Sequence, residues 1–122
     1  MNNFILLIDI DGTICDDIKN ENSHLYATAS PLPGALEKCN EWHNNGGQIH
    51  FFTAREEKDR GVTEAWLKEH GFKYDSLVMN KPRIKDGQEY VWVDNRPVRA
   101  VTFKGIWTDL VAYTKTILTF KE

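Results

Sequence analysis

Phe4-Ile5-Leu6-Leu7-Ile8 is a run of five large apolar residues that stops abruptly at Asp9-Ile10-Asp11-Gly12-Thr13. Such a run reads as a strand buried on both faces of a sheet. The two acids then stand at its carboxyl end. Spaced by two, their side chains leave an extended chain on the same side. Gly12 allows a sharp turn just beyond them. Two carboxylates directed into one place repel each other, so they demand a cation or a shared proton.

Downstream, the signals alternate between strand and helix. That is the pattern of an α/β domain with a mainly parallel sheet. The polar stretch Gly12–Pro31 is long for a structureless loop and suggests a functional flap. Pro33 and Gly34 open a helix running to about Asn45, with Leu36, Cys39 and Trp42/His43 on one apolar face. Ile49–Phe52 is the second expected strand and ends in Thr53. A helix from about Lys58 to His70 should bury Val62, Ala65 and Trp66, with Gly71 as its cap. Ser76–Met79, Tyr90–Val93 and Ala100–Phe103 are expected as three further strands. A last helix is expected over Ile106–Leu118, from the stripe Ile106, Leu110, Tyr113/Thr114 and Ile117.

A chain of 122 residues suits one domain, expected to span 1–122. Its 41% hydrophobic content is enough for a core and excludes a disordered chain. The net charge of −3, with no basic block, argues against nucleic acid and anionic membranes as partners. Cys15 and Cys39 form no CxxC pair, which argues against a disulfide framework or a structural zinc. No apolar segment approaches the ~20 residues of a membrane span. The N-terminal apolar run is too short for a signal peptide, so a cytoplasmic location is expected.

Asp9, Thr53 and Asp94 each follow an expected strand. In a parallel sheet those ends share one edge, where ligands bind. Thr53, with the free N–H groups of the turn at Ala54-Arg55, makes either a phosphate pocket or an ordinary helix cap. Only ten residues, Asn80–Glu89, join the third and fourth strands, too few for a crossover helix. If the fourth strand lies beyond the first, this link must cross the carboxyl edge and hang Lys81 above the aspartates. Extended, it reaches roughly 33 Å, against roughly 14 Å for three strand spacings. Asp94 adds a third acid, and such hard oxygen donors suit Mg²⁺ rather than zinc.

The stretches DIDGT, FFTAR, NKP and WVDN, in that order, resemble the four motifs of the haloacid dehalogenase superfamily of phosphotransferases. The resemblance spans residues 9 to 95. It implies a three-layer, Rossmann-like α/β fold and a phosphomonoester hydrolase working through an aspartyl-phosphate. Asp9 would be the nucleophile and Asp11 the general acid, then the base. Thr53 and Lys81 would hold the phosphoryl oxygens. Mg²⁺ would be held by Asp9, the main-chain carbonyl of Asp11, and Asp94. Asn95 stands where a second acid is common, and ligates through its amide oxygen or a bound water.

Members of this superfamily often carry a cap domain inserted after the first or third strand. Neither Gly12–Pro31 nor Asn80–Glu89 can hold a folded cap. The chain thus resembles capless members such as the sugar-acid and capsule (polysaccharide) biosynthesis phosphatases. That resemblance implies a phosphorylated sugar or sugar acid as the small-molecule phosphate ester. An open site also suggests a homo-oligomer in which a neighbour covers it. Arg55, Arg83 and Arg96 are candidates for binding a second anionic group of the substrate, and Ala54 is a further candidate substrate contact.

Two rivals remain. A receiver-like phospho-accepting signalling domain has similar length and a similar set of Asp, Thr and Lys positions. Its acceptor Asp ends the third strand, whereas here no Asp does and Thr53 ends the second. A catalytically silent binding module on the same fold is the other rival. The retention of Asp9, Asp11, Thr53, Lys81 and Asp94 argues against it.

Overall fold

The computed structural model describes residues 4–107. They divide into two compact units, one reaching Pro82 and one starting at Arg83. The first unit contains β1 (Ile5–Ile8), a 3₁₀ segment (Asn20–Thr28), α1 (Ala35–Asn44), β2 (Gln48–Phe52), a 3₁₀ turn (Glu57–Asp59), α2 (Arg60–His70) and β3 (Ser76–Val78). The three strands form one parallel sheet in the order β1-β2-β3. This is an α/β unit with a small, Rossmann-like parallel sheet.

The register pairs Leu7 with His50, and His50 with Ser76. Alternation then places Ile8, Ile49, Phe51 and Leu77 on one face, and all four are buried. The opposite face is open: Ile5 is 64% exposed and Leu7 48%. Among the described residues the first strand is thus covered on one face, where its composition suggests burial on both. A right-handed crossover after each strand, stepping the same way across the sheet, puts both helices on one face. β1 lies at the sheet edge among the described strands.

Helix α1 packs on β2 and buries Ala35, Cys39 and Trp42. Helix α2 buries Thr63, Trp66 and Leu67, at the spacing of one helical stripe. That stripe is rotated from the expected Val62, Ala65 and Trp66. The cause is polar. The Thr63 hydroxyl donates to the Asp59 carbonyl at 2.8 Å and accepts Arg55 Nη1 at 3.0 Å, so a hydroxyl satisfied on both sides enters the core. Gly71 ends α2 at φ 83°; the Phe72 N–H returns to the Leu67 carbonyl at 3.0 Å and that of Gly71 to Lys68 at 3.1 Å. Only a residue tolerant of left-handed φ closes a helix this way.

The long stretch after β1 is not loose. Its 3₁₀ segment packs on α2. Trp66, 1% exposed, donates its indole N–H to the Ala29 carbonyl at 2.9 Å and stacks on Phe72 with centroids 5.5 Å apart. Asn20 Nδ2 donates to the Ala54 carbonyl at 2.9 Å. The stretch is thus a fastened wall.

In the second unit, Gln88 closes a turn on Lys85 through its main-chain N–H, and Phe103 lies against Trp107. Tyr90–Val93 and Ala100–Phe103 form no strand pairing among the described residues. Their apolar composition suits strands, but a strand also needs a neighbour's hydrogen bonds. The helix expected over Ile106–Leu118 falls, beyond its first two residues, outside the described residues. Among the described residues no helix is long and apolar enough to cross a membrane.

Replacing Trp66 should separate packing from hydrogen bonding. Trp66→Ala is expected to cost about 3–5 kcal/mol in urea unfolding, from the lost aromatic volume. Trp66→Phe should cost about 1–3 kcal/mol, because it leaves the buried Ala29 carbonyl without its donor. A loss below 1 kcal/mol for Trp66→Ala would show that the 3₁₀ segment is held by other contacts.

Candidate active site

Asp9 is the first residue past β1, and Asp11 begins the turn that follows. Gly12 makes this turn possible twice over. Its φ is 79°, and a Cβ there would meet Asp17 Cγ at 3.2 Å. The turn closes through Thr13 and Ile14, whose N–H groups donate to the Ile10 carbonyl at 3.0 and 2.9 Å.

Asp9 is gripped from two sides. Thr13 Oγ1 donates to Oδ2 at 3.1 Å, and Lys81 Nζ donates to Oδ1 at 3.2 Å. The Lys81 side chain is largely buried at 13% exposure, while Asp9 keeps 37% of its side chain open. Lys81 thus pairs with Asp9 in the structure. Its place is set locally, by its N–H donating to the Thr53 carbonyl at 2.9 Å.

Asp11 has a different environment. Arg55 reaches it with a two-pronged contact, Nη2 to Oδ1 at 2.7 Å and Nε to Oδ2 at 3.0 Å. A planar guanidinium matches a carboxylate in this way. Burial pushes the Asp11 pKa above the ordinary carboxylate value; Arg55 opposes the rise and the charge of Asp9 adds to it. The two acids of the turn are thus unequal: one open and facing a lysine, one enclosed and paired with an arginine.

Arg55 is fully buried. Besides Asp11 it donates to Thr63, and its guanidinium carbon lies 3.8 Å from the centroid of the Tyr26 ring. The expected role of contacting a substrate's second anionic group does not fit a guanidinium enclosed by Asp11, Thr63 and Tyr26. Its contact with Asp11 carries the role the geometry supports. Thr53, 1% exposed, accepts the Arg55 N–H on Oγ1 at 3.1 Å, so its hydroxyl shapes this turn and keeps its own hydrogen to donate. Ala54 meets the 3₁₀ segment through its carbonyl.

Arg83, Asp94 and Asn95 belong to the second unit. There the Trp92 indole N–H and the Arg96 amide donate to Asp94 at 3.1 and 3.0 Å, and these bonds hold its carboxyl below the usual range. Among the described residues, no group of three or more His, Cys, Asp or Glu side chains is placed to hold a metal. Cys15, fully buried beside Asp11, has its thiol pushed up to about 12 by burial, which removes it as a thiolate nucleophile.

Thr13, Tyr26 and Thr63 also build the site, and sequence reasoning did not single them out. Thr13 carried a signal, since it closes the DIDGT stretch itself. Thr63 and Tyr26 carried none: they reach Arg55 from other elements of the fold.

Truncating Arg55 should be severe. Arg55→Ala leaves a largely buried Asp11 without its counter-charge and is expected to cost about 3–5 kcal/mol in urea unfolding at pH 7. Arg55→Lys should restore little, because a single ammonium cannot make the two-pronged contact. Full stability in the lysine variant would count against that geometry.

Known proteins place this arrangement in context. A putative nucleotidase from Bacillus cereus is 38% identical over 47 residues, which cover 38% of this chain and 25% of that protein. A crystal structure from Vibrio cholerae matches at TM-score 0.57 and 25% identity, covering 79% of this chain and 83% of that one. A chain of the Pnkp1/Rnl/Hen1 complex shares the fold at TM-score 0.58 and 19% identity, over 73% of this chain and 31% of its own length. Residues 6–115 match the family described as "PITM 1-3, LNS2 domain", and the chain belongs to that family.

Proposed function

We propose that the chain is a phosphatase of the haloacid dehalogenase type, acting on a phosphorylated sugar or sugar acid. The observation that carries this reading is the inequality of the two acids. Asp9 presents an open carboxylate beside a lysine and a threonine hydroxyl. Asp11 is enclosed and raised in pKa. Nucleophile and proton carrier need those two environments. The likeness to a protein described as a putative nucleotidase supports phosphoester chemistry.

In this reading an Asp9 oxygen attacks phosphorus and the ester oxygen leaves. Asp11 gives that oxygen its proton. Asp11 then takes a proton from the water that attacks the aspartyl-phosphate, releasing phosphate and restoring both acids. Lys81 neutralises the approach of one anion to another, and Thr53 donates its hydroxyl to a phosphoryl oxygen. Arg55 holds the Asp11 carboxyl in one orientation throughout.

Mg²⁺ fits the donors of the first unit. They are hard oxygens: the part-exposed Asp9 carboxylate, which also meets Lys81 and Thr13, and, by the motif resemblance, the Asp11 carbonyl, while the Asp11 carboxylate is engaged by Arg55. Mg²⁺ needs only one or two carboxylates and keeps several waters. The motif resemblance adds Asp94, with Asn95 beside it. The metal would supply charge neutralisation at the phosphoryl group. A cytoplasmic, homo-oligomeric enzyme of polysaccharide biosynthesis is the setting proposed.

Phosphate release from a generic aryl phosphate tests the reading. Release should require Mg²⁺, stop in EDTA, and fall by about 10³-fold or more in Asp9→Asn. Undiminished release by Asp9→Asn would overturn the nucleophile, and no release by the native protein would overturn the phosphatase. The alkaline limb of the rate profile should report loss of the Asp11 proton. Arg55 lowers the Asp11 pKa, so Arg55→Met should move that limb to higher pH. A downward shift would remove Asp11 from the acid role.

A further inference from the structure

We infer that Asn80 is a positioning residue that keeps the Lys81 ammonium on Asp9; its effect on turnover rests on the phosphatase reading. A lysine side chain is long and flexible, so its main chain must aim it. Among the described residues, Asn80 is the one non-glycine residue with left-handed φ, at 64°. Asparagine tolerates that region better than most residues. In this conformation the Asn80 N–H donates to the Arg55 carbonyl at 2.8 Å. Its Oδ1 accepts the Glu57 N–H at 3.2 Å. The next N–H, of Lys81, donates to the Thr53 carbonyl at 2.9 Å.

Three hydrogen bonds from two consecutive residues thus bind the turn after β3 to the segment 53–57. That segment carries Thr53 and Arg55. Pro82 follows and biases Lys81 toward an extended backbone. The direction of Lys81 is therefore set from both sides. Asn80 itself is exposed, so replacing it empties no core volume. Glycine reproduces the backbone angle but has no acceptor for Glu57. Alanine has neither property, and aspartate keeps both.

The test combines kinetics with structure. With an aryl phosphate and Mg²⁺, Asn80→Ala should lower kcat/KM roughly 10- to 100-fold, the scale of a small misplacement. Asn80→Gly should lose less, and Asn80→Asp should restore most of the rate. In a Lys81→Ala background, Asn80→Ala should cost less than about twofold, because both changes remove one function. Equal losses in the two backgrounds, or an aspartate variant as poor as alanine, would overturn the inference. If the native protein releases no phosphate, the phosphatase reading falls and a crystal structure of Asn80→Ala decides the positioning alone. Lys81 Nζ should then lie beyond hydrogen-bond reach of Asp9; an undisturbed contact overturns the inference.

Discussion

The buried contact between Arg55 and Asp11 is the interaction on which the first unit's site depends. A guanidinium with no exposure is tolerable only when its donors are met. Asp11 meets two of its nitrogens, Thr63 a third, and Tyr26 covers the face of the group. These partners come from the turn after β1, from α2 and from the 3₁₀ segment. One side chain after β2 therefore fastens together three other parts of the chain.

The same contact separates the two acids. Asp9 and Asp11 are equivalent as residue types and stand two residues apart after β1. Their surroundings are not equivalent. Lys81 and Thr13 face Asp9 where water still reaches it, whereas burial and Arg55 surround Asp11. A single charged neighbour of a different kind for each carboxylate is a direct way to give neighbouring acids different chemistry.

Several expectations from the sequence survived in form and changed in meaning. The stretch Gly12–Pro31 looked like a flap because it is long and polar, yet Trp66, Tyr26 and Asn20 fasten it down. The stripe of α2 rotated to Thr63 because hydrogen bonds to Asp59 and Arg55 made a polar residue cheap to bury. Periodicity reads apolar residues and cannot see a hydroxyl whose partners lie elsewhere. The strands expected at Tyr90–Val93 and Ala100–Phe103 show the opposite limit. Local composition states a preference, but pairing depends on a neighbour.

The local sequence by itself determined the strand that ends just before Asp9, the left-handed turn at Gly12, the two helices, with Gly71 closing the second, and the alternation that makes the sheet parallel. Each follows from steric rules or periodicity acting over a few residues. Only the tertiary structure decided that Arg55 turns inward to Asp11, that the Lys81 ammonium meets Asp9 Oδ1 rather than merely lying above the aspartates, and that Thr63 and Tyr26 join them. Those contacts link residues up to 72 positions apart in the chain. Their geometry depends on how strands, helices and turns pack together, and no local pattern encodes that.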